Sequence, residues 1–156
     1  MDLLQALATL YQILGFFAGF IVIGLALVLG GPPHRACAII ALFDALGLYV
    51  LMSALDLDQV DWMVQVRSIL VFLAYGLVVF RWSDRWLVLL MGLQGFAVLM
   101  HLSNLLDDSI HASTTSLLLN ATGWLMLILL ATASVAHAFQ RSDAKRSYRN
   151  IDLSIP

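Results

Sequence analysis

The sequence predicts an all-α membrane protein: a bundle of about five transmembrane helices, with its N-terminus outside and its C-terminus in the cytoplasm. Three observations carry the prediction. The chain is 62% hydrophobic and 12% charged, against roughly half and a quarter in soluble domains. Apolar runs close to the ~20 residues needed to cross the hydrocarbon core recur along its length. The basic residues fall on alternate connections between those runs.

The first run spans about residues 7–29 and stops at Gly30-Gly31-Pro32-Pro33, a cluster of helix breakers. It is read as a retained helix rather than a signal peptide. No basic segment precedes it, it is longer than a signal-peptide core, and no A-x-A site follows. The second run, about 36–55, ends in Asp56-Leu57-Asp58-Gln59-Val60-Asp61, and the third covers about 62–80. Arg81-Trp82-Ser83-Asp84-Arg85-Trp86 closes the third and opens the fourth, about 87–106. A polar loop leads to the fifth, about 117–139. Residues 1–139 thus form a single helical domain, and 140–156 a polar, basic cytoplasmic tail that is expected to be mobile. None of the runs has the period-2 alternation of an outer-membrane barrel strand.

Orientation follows from Arg and Lys. Arg35, Arg81, Arg85, Arg141, Lys145, Arg146 and Arg149 all fall on one side. The opposite connections hold Asp56, Asp58, Asp61, Asp107 and Asp108 and no basic residue. Trp82 and Trp86 are expected at the inner interface and Trp62 at the outer one. The tail over 141–149 suits contact with anionic lipid. This pattern suits a bacterial inner (plasma) membrane.

Polar groups inside a bilayer are costly, so each one marks function or internal pairing. Arg67 lies five residues beyond Trp62. It either snorkels to the outer headgroups or pairs with a carboxylate or amide on a neighbouring helix. Gln94, His101 and Asp108 are spaced by seven and share a face of the fourth helix, with Asn104 beside them. Asn120 on the fifth helix falls at a similar depth. Arg67, Gln94, His101, Asn104, Asp108 and Asn120 form the candidate polar cluster, read first as a packing network and second as a ligand site. Asp44, in the inner half of the second helix, is the candidate for ion coupling and is expected to stand apart from Arg67. Gly15 and Gly19 form a GxxxG that permits a close helix contact, internal or between copies.

Other chemistry lacks support. A net charge of −2 gives no field for nucleic acid. His34 and His111 are expected in loops on opposite sides, with His101 and His137 near opposite surfaces, so no haem-binding His pair is expected. His101, Asp107, Asp108 and His111 are of metal-ligand type, but a polar loop facing water is preferred and no metal or cofactor is expected. Cys37, three residues after His34, lacks the surroundings that activate a thiolate. No catalytic constellation emerges, so the sequence inclines against an enzyme. The expected function is a non-catalytic subunit or assembly component, packed against other membrane subunits or copies of itself. The alternative is a small oligomeric transporter or channel that uses Asp44 or the Arg67/His101/Asn120 cluster.

Overall fold

In a computed structural model the described residues form five α-helices: α1 (Leu3–Leu29), α2 (Pro32–Ala54), α3 (Leu57–Trp82), α4 (Arg85–Leu106) and α5 (Ala112–Asp152). The structure describes residues 3–54, 57–106 and 112–152, and among these there is no strand. Among the described residues three segments are long and apolar enough to cross a bilayer: Trp62–Trp82, Arg85–Ser103 and Thr114–Ala144. Ile13–Leu29 is a shorter apolar helical segment.

The helix ends differ from the hydropathy boundaries for local reasons. α2 begins at Pro32 rather than near residue 36, because proline fits a first helical turn whose amides need no partner there. Gly30 closes α1: its amide donates to the Ala26 carbonyl at 3.1 Å, and its own carbonyl accepts from Arg35 Nε at 3.1 Å. A Cβ on Gly30 would lie 2.4 Å from both the Ala26 carbonyl oxygen and His34 Cβ, so only glycine fits. Between α3 and α4, Ser83 takes a left-handed conformation (φ 48°). The Asp84 carbonyl then accepts the first amides of α4, from Leu87 at 3.0 Å and Val88 at 3.4 Å. The stretch that follows the fifth apolar run continues α5 as far as Asp152. Residues 140–152 contain neither Gly nor Pro to stop it. At 1.5 Å per residue α5 is about 60 Å long, about twice the hydrocarbon thickness.

Consecutive helices pack against each other, α5 packs back on α1, and α2 also touches α5. The result is a closed ring of five. α3 and α4 are antiparallel: Gly76 faces Met91 and Gly95 faces Phe72. The closing seam is parallel, with Gly15 against the Trp124 ring and Gly19 against Leu127, as a ring with an odd number of up-and-down helices requires.

The two ends of the ring differ. We call the end that carries the Gly30–Gly31 and Ser83–Asp84 turns basal and the other apical. The buried core, including Ile23, Ala26, Cys37, Ala38, Tyr75, Val78, Leu87, Leu90 and Leu130, fills the basal half. Small residues there (Ala26, Cys37, Ala38 and Ser134, all fully buried) let the backbones approach closely. Large apolar side chains face outward instead, among them Phe17, Phe43, Leu77 and Phe80, the last 90% exposed. A surface of that kind is abnormal for contact with water, and with the three long apolar helices it points to a membrane association.

Candidate functional site

Above the basal core the ring surrounds a half-open cavity of about 540 Å³, lined by residues of all five helices. Core residues Ile23, Tyr75, Leu90 and Leu130 form its floor, and Val64, His101 and Leu119 stand towards the apical end. Most of the wall is apolar. Polar side chains on it include Asp44, Arg67, Ser68, Gln94, His101, Asn120 and Thr122.

Arg67 is the centre of this set. Its Nη1 lies 2.5 Å from Asp44 Oδ1 and 2.7 Å from the Asp44 main-chain oxygen. This overturns the expectation that the two residues stand apart. Because α2 starts at Pro32 and α3 at Leu57, both ahead of their apolar runs, Asp44 and Arg67 each fall near the middle of their helices. The Arg67 stem also passes Gly47, where a Cβ would meet Arg67 Cδ at 3.8 Å. The guanidinium Nε is buried and has no hydrogen-bond partner. The carboxylate and the guanidinium neutralise each other, so this part of the wall is polar without net charge.

α4 and α3 are cross-linked on either side of the pair. The Gln94 side-chain amide lies 3.4 Å from the Ser68 carbonyl, and Gln65 Nε2 donates to the His101 carbonyl. Thr122 satisfies its hydroxyl within α5 by donating to Leu118 O at 2.8 Å, so it offers the cavity little. The His101 and Asn120 side chains line the cavity. Of the predicted polar cluster, Arg67, Gln94, His101 and Asn120 therefore share one cavity, and Asp44 joins them. Asp108 and the Asn104 side chain lie outside the described residues, as do Asp107 and His111. Among the described residues no three His, Cys, Asp or Glu side chains gather as metal ligands. Gly15 and Gly19 also line the cavity and are spent on the internal α1–α5 seam.

A second polar feature lies at the basal end. His34 is not in a loop but in the first turn of α2. Its ring stacks on Trp86, with centroids 4.6 Å apart and planes at 19°. His137 from α5 packs near it, centroids 5.1 Å apart. Trp86 is thus a packing partner of His34 as well as a candidate interfacial anchor. Trp62 is exposed, and Trp82 is exposed beneath the Arg81 guanidinium, 5.5 Å from the ring centroid. His34 is 4% exposed and neither ring nitrogen has a hydrogen-bond partner. The Ala133 carbonyl is close enough to influence the ring without hydrogen-bonding geometry. Sequence reasoning missed this group because the contact joins α2 to α5, which are not consecutive. The one available signal was that His34 and His137 fall on the same predicted side.

No known protein family, curated protein or solved structure matches this chain.

Proposed function

We propose that the chain is a multi-pass membrane protein of five spans, N-terminus outside and C-terminus in the cytoplasm. Its central cavity binds a small, largely apolar molecule, which the protein carries or holds within the bilayer. The observation that carries this reading is the cavity itself. Its size falls in the range of small-molecule sites, and its apolar walls bear a few convergent polar groups, as such sites do. A component whose only task is packing has no use for such a space, because an empty cavity forfeits contacts along its whole lining. The geometry therefore supports the transport-type alternative over the subunit reading. Topology rests on the basic residues that border one set of connections.

The test is isolation in mild detergent followed by native mass spectrometry of the wild type and of Ala97→Phe, which fills the cavity wall. The expected result is a small organic molecule bound to the wild type and absent from the variant. A ligand-free wild type that instead travels with a stoichiometric partner protein would return the subunit reading to first place.

A further inference from the structure

Asp44 and Arg67 border two spaces at once. On the inner side they line the central cavity. On the outer side they line a crevice between α2 and α3, about 270 Å³ in volume, together with Ile40, Phe43, Leu70, Val71 and Ala74. The exposure of the two side chains, 19% for Arg67 and 32% for Asp44, fits a position shared between both. Asp44 and Arg67 are the two residues that line both spaces. The residues flanking them on the cavity side are small: Ala41, Ala45 and Ser68.

From this we infer that the α2–α3 crevice is a lateral portal. The cavity's ligand passes through it from the bilayer, and the Asp44–Arg67 pair is the gate. The inference rests on the cavity reading above. The walls of the crevice fix the class of ligand: an amphiphile with an apolar body that is already dissolved in lipid. The gate fixes its head. A guanidinium can only donate hydrogen bonds, so it calls for an oxygen acceptor, as in an alcohol, ketone or carboxylate, and disfavours an amine, whose positive charge would face Arg67. A long arginine side chain suits a gate because it can swing about several bonds while its flanking alanines leave room. A packed apolar barrier would need whole helices to separate. The basal route is closed by the buried core and by the Trp86–His34–His137 stack.

The experiment uses the full chain in lipid vesicles with Trp62, Trp82 and Trp86 replaced by Phe, so that cavity-lining Trp124 is the only tryptophan. The probe is stearyl alcohol brominated at mid-chain, which quenches on contact, and its uptake is followed by stopped flow. Saturable quenching is expected, and Ala97→Phe should abolish it. Ala74→Phe narrows the crevice without touching the cavity. It should leave the final quench unchanged but slow its approach by about tenfold, equivalent to a barrier raised by about 1.4 kcal/mol. Phe43→Ala widens the crevice and should speed the approach at the same final quench, which keeps the test decisive if Ala74→Phe does not fold. Unchanged rates in the crevice variants would overturn the lateral portal and leave the cavity reading standing. Absence of saturable quenching with the alcohol and with the matching brominated fatty acid would overturn the cavity reading itself. Equal quenching by the brominated amine would overturn the role given to Arg67.

Discussion

Arg67 reaches across from α3 and donates, through one nitrogen, to both the carboxylate and the main-chain carbonyl of Asp44 on α2. This contact binds neighbouring helices, neutralises two charges that an apolar surrounding cannot tolerate singly, and forms part of the wall of the central cavity.

Removing one partner should therefore cost more than removing both. Asp44→Leu leaves a guanidinium without its counter-charge and should destabilise the fold by about 3 kcal/mol, as expected for a broken ion pair away from water. Arg67→Met should do likewise. The double variant should recover most of the loss, and thermal unfolding of all four proteins in one detergent gives the coupling energy directly. Additive losses would mean that the two side chains do not depend on each other.

The basal histidine pair predicts a pH dependence. His34 precedes the second apolar run. It is held below the ordinary imidazole value of 6.5, first by burial and then by His137, while the Ala133 carbonyl and Asp84 pull the other way. Its proton is thus bound more readily in the unfolded chain. Stability is full above pH 6.5 and should fall as the pH drops through that value, because the unfolded state then takes up the proton first. His34→Phe keeps a ring against Trp86 and removes two nitrogens without partners. It should raise stability by about 1 kcal/mol and flatten the loss in mild acid. A melting temperature with the same acid dependence in both proteins would contradict this.

Two glycines should respond in opposite senses. Gly30→Ala puts a methyl group against the Ala26 carbonyl and His34 Cβ, and should destabilise the fold by about 1–3 kcal/mol. Gly92, within α4, has no atom within 4 Å of a would-be Cβ. Gly92→Ala should stabilise the helix by up to about 1 kcal/mol. Thermal melts of the two variants beside the wild type measure both effects.

Hydropathy made the helices legible and left their ends uncertain. It marks where the chain is apolar, whereas a helix ends where its backbone is capped or broken. Pro32 starts α2 ahead of the apolar run, and α5 continues through Arg141, Lys145 and Arg146 because nothing in that stretch interrupts it. Those shifts moved Asp44 and Arg67 to matching heights, which the apolar boundaries had placed in opposite halves. The heptad spacing of Gln94 and His101 put both on one face of α4, and that face lines the cavity.

The sequence by itself determined that the chain is helical, that it has five helices in this order, and which few polar residues stand inside them. These follow from properties local to each segment: apolar run length, breaker residues and side-chain spacing. Only the tertiary structure decided that the ring closes through a parallel α1–α5 seam, that Arg67 takes Asp44 as its partner, and that His34, Trp86 and His137 form a stack. Each of these depends on the rotation and height of one helix against another, which packing between distant parts of the chain sets and no local pattern encodes.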